Sequence, residues 1–238
     1  MARRPRPWIV TPHDPFEKHD DHLWTVTGAI PGLTLKRRMT IARLAGGDLV
    51  FYNAVPLADA ALAELRAWGR PAFVVIPNRY HKIDAHAFRE RLGVRLLCHA
   101  SVARFVGEIV TVDGGLDLLP ADPRVRLAPI AGTKQGETAL IVTGARGTSV
   151  AFADAIMNVP RGSGLFNALL GVSGGLKCPP TFRMIAVADK AAVTRDLAAL
   201  ADLPGLARLI PSHGDILEPA PADALRRAIA RDLEQPPR

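Results

Sequence analysis

Two cysteines, two tyrosines and three tryptophans are few for a chain of 238 residues, and each shortage removes a class of function. Cys98 and Cys178 sit in apolar or proline-rich surroundings and form no C-x-x-C pair. That excludes a structural zinc ribbon and a thioredoxin-type redox site. Both read as unpaired, buried thiols, because a long-range disulfide is disfavoured in a reducing compartment. No apolar run reaches the roughly eighteen residues of a spanning helix, so no membrane span is expected. The opening MARRPRPW is basic but lacks the apolar segment of a secretory signal, and the expected location is the cytoplasm. The formal net charge is +7, contributed by that opening, by LKRR at 35–38 and by arginines near the end. With few aromatics for stacking and no helix-turn-helix or RNA-binding signature, this reads as a solvated, arginine-rich surface. No specific nucleic-acid partner is expected.

What is present is an ordinary globular mixture, 48% hydrophobic and 22% charged, in a chain long enough to bury a sizeable core. WTVTGAI (24–30) and RMTIARLAGGDLVFYNAVP (38–56) predict three strands, the last two joined by a turn at Gly46-Gly47. In LADAALAELRAWG (57–69), Leu57, Ala61, Leu62, Leu65 and Trp68 recur at helical spacing and Gly69 supplies the stop. AFVVIP (72–77) predicts a buried strand, followed by a helix from Asp84 to Leu92 and a strand at 94–99. Residues 107–159 break into short β runs between Gly, Asp and Pro turns, which predicts four or five mostly antiparallel strands. A glycine-rich apolar segment (161–182) interrupts the order. Helical patterns return at 189–202 and 221–234 around a strand at 206–212. The sequence β-rich, α/β, β-rich, α/β predicts an α/β (α+β) fold of two sheets packed face to face with helices outside. Residues 1–23 are expected to form an N-terminal arm, partly irregular, with His13, His19, Asp20, Asp21 and His22 solvated. Residues 24–238 are expected to form one domain.

Three polar groups follow apolar strands: Asn78, Tyr80 and His81 after VVI, Asp154 after SVAFA, and His213 after LIP. Side chains at adjacent strand ends converge on one crevice in α/β architectures. Two histidines and an aspartate there are a reasonable first shell for zinc, iron or manganese, while each taken singly reads as an ordinary capping or hydrogen-bonded residue.

On these strand ends the chain resembles the metallo-β-lactamase fold superfamily, from Trp24 to about Glu218. The family's H-x-H-x-D-H signature falls on Ile76-Pro77-Asn78-Arg79-Tyr80-His81, where the final histidine alone remains. The turn that carries the next family histidine reads Ala131-Gly132-Thr133-Lys134-Gln135-Gly136-Glu137-Thr138 and has none. Asp154 in FADAIMN matches the bridging aspartate, and His213 in PSHGD matches the last histidine. The resemblance implies a four-layer αββα sandwich of two mixed β-sheets. It implies that all three histidines of one metal subsite are lost and that His81, Asp154 and His213 of the other remain. The implied cofactor is one divalent ion, zinc, iron or manganese, or none.

Asp84 and His86 lie just beyond the motif, where helix capping and solvent exposure compete with a role as substitute ligands. Lys134 and Lys177 read as surface residues or anion contacts. Tyr80 and Asn78 are candidates for orienting a substrate. Two functions follow: a hydrolase of unknown small-molecule substrate using at most one metal, or a non-catalytic, metal-free descendant of the fold that binds a small molecule or protein partner. The apolar GLFNALLG segment fits a pocket lining, a lid or an oligomer contact, a homodimer among them. It carries almost no Lys or Arg, which counts against an amphipathic membrane-surface role.

Overall fold

A computed structural model describes residues 6–235; the arginines of the opening at positions 3 and 4 and the last of the C-terminal ones lie outside them. Strands β1 (Glu17–Asp20), β2 (Leu23–Ala29), β3 (Lys36–Arg43) and β4 (Asp48–Tyr52) pair antiparallel in succession. The β3–β4 turn closes through Gly47, whose φ of +86° suits glycine. Helix α1 (Asp59–Trp68) then carries the chain over to β5 (Arg70–Ile76), parallel to β4, and α2 (Ala85–Leu92) to β6 (Arg95–Cys98), parallel to β5. These six strands form one mixed sheet in chain order. A short helix, α3 (Ala103–Gly107), precedes the second sheet. That sheet is built from β7 (Val125–Pro129), β8 (Thr138–Gly144) and β9 (Gly147–Phe152). A two-stranded ribbon, β10 (Met157–Val159) with β11 (Gly175–Lys177), brackets helix α4 (Leu165–Leu169). Helix α5 (Lys190–Ala201) leads to β12 (Leu206–Pro211), which adds parallel to β9, and α6 (Pro221–Ile229) follows.

Alternation along the strands sorts the apolar side chains into three layers. In the first sheet Ile41, Phe51, Val74, Ile76 and Leu96 face outward, under Leu62, Leu65 and Phe88 of α1 and α2. Their neighbours Ala42, Val50, Tyr52, Val75 and Leu97 face inward, onto Leu140, Val142, Ala151 and Ile210 of the second sheet. The other face of that sheet, with Ile141, Val150, Phe152 and Leu209, packs under Val193, Leu197, Leu225 and Ile229 of α5 and α6. Helix, sheet, sheet, helix is the four-layer order. Each fully buried Leu, Ile or Phe of these layers contributes about 1.5–3 kcal/mol. Tyr52 ties the sheets by donating its hydroxyl to the Thr138 carbonyl at 2.7 Å.

Three expectations change. The β region expected over 107–159 does not begin with a strand: the stretch after α3 is irregular, with Val110 buried against the first sheet. The four strands of 107–159 all lie at or beyond Val125. The expected helix at 221–234 divides into α6 and a π-helical turn, Ala230–Glu234. Of the histidine–aspartate cluster expected to be solvated, Asp21 is exposed while His19 and His22 are buried. β1 and β2 meet there, His19 bonds the Thr25 hydroxyl at 2.9 Å, and His22 bonds the Thr143 carbonyl at 3.0 Å. Periodicity could not signal β1, because EKHD has no apolar face to alternate. Among the described residues no helix is long and apolar enough to cross a membrane.

Candidate metal centre

Five chain segments end at one edge of the sandwich. Asn53 follows β4, Asn78 to His81 follow β5, Asp154 follows β9, His213 follows β12, and Glu137 precedes β8, which runs antiparallel to β9. β4 and β5 are parallel, as are β9 and β12, so their carboxyl ends point the same way, where α/β sheets place their ligand crevices.

Here His81, Asp154 and His213 meet, each offering one ligand atom within 4.8 Å of the others. His81 Nε2 lies 3.1 Å from Asp154 Oδ1 and His213 Nε2 lies 3.7 Å from the same oxygen. The other nitrogen of each ring is tethered. His213 Nδ1 donates to the Lys36 carbonyl at 2.8 Å, since a carbonyl only accepts. His81 Nδ1 meets Asn53 Oδ1 at 2.8 Å, while Asn53 Nδ2 donates to the Arg38 carbonyl at 2.8 Å. That orients the amide and makes Nδ1 the donor. Both imidazoles therefore turn Nε2 toward the crevice. Asn53 achieves this at φ +63°, a left-handed conformation that asparagine tolerates better than most residues. Gly214, at φ +92°, lets the turn after His213 press against β10. A Cβ there would fall 2.1 Å from the Asn158 carbonyl oxygen.

Beneath the triad lies a second, fully buried carboxylate. Glu137 Oε1 accepts from the Asp154 and Ala155 backbone N–H groups (2.8 and 2.9 Å), and Oε2 accepts from Asn78 Nδ2 and Gln135 Nε2 (2.9 Å each). Asn78 donates its second amide hydrogen to Asp154 Oδ2 at 2.8 Å, and its Oδ1 accepts from the backbone of Tyr80 and His81. One amide thus bridges two carboxylates and shapes the turn that carries His81.

Burial opposes every charge in this cluster, and the outcome differs group by group. For His81 burial pulls the pKa down, but the adjacent Asp154 wins and raises it. For Asp154 burial pushes up, and His81, then His213 and the Asn78 amide, bring it well below its ordinary value. His213 is carried down to about 4 by burial, which outweighs the pull of Asp154. Burial, then Asp154, raises the pKa of Glu137 despite the opposing pull of its N–H donors. Four donors on two oxygens leave no acceptor for a carboxyl proton, an arrangement that favours the carboxylate form. The pocket thus sets a hydrogen-bonded His81–Asp154 pair beside His213, which burial holds toward its neutral form.

The remaining candidates fall elsewhere. Asn78, expected to orient a substrate, is completely buried, with its two amide hydrogens on Glu137 and Asp154. Tyr80 is 46% exposed, and its hydroxyl accepts from Arg79. Asp84 occupies the N-cap position of α2 but makes no capping bond and is not exposed. It is buried in an ion pair with Arg37 and, at 3.9 Å, Arg6. His86 lines a shallow surface groove with Trp8 and Glu90. Neither Asp84 nor His86 joins the triad. Lys177 gives its ammonium to the Gly171 and Ser173 carbonyls. Asn53 and Glu137 were not expected. Their one signal is position, a polar residue abutting an apolar strand in VFYN and in GETALIV.

No family model matches the sequence, and no curated protein matches it. Solved structures do. The metallo-β-lactamase DIM-1, in a crystal exposed to ceftazidime, superposes with a TM-score of 0.63 at 11% identity, over 94% of this chain and 99% of its own. A metallo-β-lactamase from Pontibacter korlensis gives 0.62 at 12%, over 91% and 99%. FIM-1 from Pseudomonas aeruginosa, in its mono-zinc form, gives 0.59 at 14%, over 97% and 98%. The chain has the metallo-β-lactamase fold.

Proposed function

We propose that the protein is a hydrolase acting on a small-molecule substrate with at most one divalent ion, held by His81, Asp154 and His213. The observation that carries this is the pair of tethered imidazoles, each fixed through Nδ1 and each turning Nε2 toward Asp154. Such outer-shell hydrogen bonds orient histidine ligands in metal sites. The donor set fits an ion. Ligand atoms about 2.0–2.1 Å from a tetrahedral ion stand about 3.3 Å apart, and the two carboxylate–imidazole separations are 3.1 and 3.7 Å. Two nitrogens and one oxygen suit zinc, iron or manganese and leave coordination positions open.

When bound, the ion lowers the pKa of a coordinated water and polarises an ester, amide or phosphoester. The chain's own groups do the positioning. Asn53 and Lys36 hold the rings, Glu137 and Asn78 hold Asp154, and Tyr80, on the exposed side of the turn, is the candidate for contacting substrate. A panel of chromogenic esters, thioesters and phosphodiesters, assayed with each metal, tests the proposal. Turnover of one class is expected, falling in His213→Ala by about 100-fold or more, the upper end of what even outer-shell partners cost. Turnover that survives chelation or His213→Ala would overturn it. One observation favours a metal-free binding crevice instead: His81 Nε2 and Asp154 Oδ1 already pair with each other at 3.1 Å. That reading expects no turnover at all, with ligand binding unaffected by chelator.

A further inference from the structure

Helix α4 is inside out. Its one buried side chain is Asn167, whose amide donates to the Ser163 carbonyl at 3.0 Å. Leu165 (77% exposed), Phe166 (54%) and Leu169 (77%) face solvent, with Leu170 (38%) at the C-cap. Gly171, at the end of α4, lies against Pro180, which opens the helical turns running to Ala186. A Cβ on Gly171 would come within 2.9 Å of the Pro180 ring. There Phe182 and Ala186 point inward and Met184 (81%) and Ile185 (57%) point out. Six large apolar side chains on adjoining segments are thus exposed together, whereas exposed apolar residues are usually scattered singly.

The charge that these segments themselves carry has one sign, while Asp14, Glu17 and Asp215 line a cavity with Ser163 and Asn167. No Asp or Glu occurs between Asp154 and Asp189, while Arg161, Lys177 and Arg183 do. The fold adds Arg231, whose guanidinium donates to the Leu176 carbonyl. Arg161, Arg183 and Arg231 are close enough to Lys177 to reinforce burial in lowering its pKa. The single carboxylate among them, Asp232, is largely buried and engaged by Arg231 and the Cys178 N–H. The cations that GLFNALLG lacks in sequence are thus supplied in space. We propose that this face docks on an anionic lipid surface, the apolar side chains entering the headgroup region and the arginines meeting the phosphates. A second copy of the chain fits less well, because it would bring the same positive face, on a chain of net +7, against its like.

Co-sedimentation of the full chain with vesicles tests this. Binding is expected to phosphatidylcholine vesicles containing phosphatidylglycerol, and it should fall at least about ten-fold in phosphatidylcholine alone or in about 1 M salt, where the Debye length is about 3 Å. Leu165→Ser/Leu169→Ser and, separately, Arg161→Glu should each weaken it at least about five-fold with unchanged melting temperature, since these side chains are exposed. No binding to anionic vesicles, equal binding to neutral ones, or binding that both variants retain would overturn the proposal. So would a concentration-dependent dimer in sedimentation equilibrium that Leu165→Ser/Leu169→Ser abolishes.

Discussion

Glu137 shows how much of this site is decided by single atoms. Its carboxylate takes four N–H donors and offers none back, so Glu137→Gln is not a conservative change. In either orientation the amide NH2 faces two donors and leaves them unpaired in the interior. A loss of about 3 kcal/mol in urea unfolding is expected; wild-type stability would mean the group is protonated. His19 sets a pH dependence away from the crevice. Burial, then Arg208, lowers it from 6.5 to about 4. With the folded value below the unfolded one, stability is complete above pH 6.5 and falls as pH drops toward 4. His213 behaves likewise. His81, shifted upward, has the opposite sign: its contribution is complete below 6.5 and lost as pH rises through its folded value, so it is constant over the acid window. The urea midpoint should therefore decline between pH 6.5 and 4, and His19→Gln should flatten that decline. An unchanged slope in the variant would place the acid sensitivity elsewhere.

Single elements deliver these atoms, and their turns were the least legible part. The strands that end at the crevice were readable from apolar runs such as AFVVIP and LARLIP, and α1, α2, α5 and the start of α6 from helical spacing. His81, Asp154 and His213 were legible because each stands within a few residues of the end of such a run and matches a position of the family's motifs. Asn53 and Glu137 were not, since a polar residue beside a strand is ordinarily solvated. Only the pairing of β8 with β9 in the second sheet brings Glu137 under Asp154. Ile76 shows the same limit from the other side. It stands at the first position of the degraded motif and lies in the core beneath α1 and α2, where it offers no donor atom. The β12 turn carries its own test. Gly214→Ala combines a left-handed φ with a Cβ on the Asn158 carbonyl, so a loss of about 2 kcal/mol or more is expected, together with weakened metal uptake. Uptake and stability equal to wild type would show that the turn relaxes without moving His213.

Across the whole molecule, two mixed sheets between helical layers set the carboxyl ends of β4, β5, β9 and β12 at one edge. The layers depend on alternation alone and survive at 11–14% identity to structures of the same fold, because volume and pattern suffice to specify them. The site depends on identities. Where the resemblance implies two metal subsites, this chain places Ile76 in the core, Asn78 between carboxylates and the half-exposed Tyr80 on the turn. One three-residue group is found among the described residues. Metal content of the purified chain, measured by elemental analysis beside His213→Ala, tests the central claim most directly. About one equivalent of zinc, iron or manganese in the wild type is predicted, lost in the variant, with a higher melting temperature for the loaded protein as binding to the folded state requires. Two equivalents, or metal-free protein whose melting temperature no added ion raises, would contradict it.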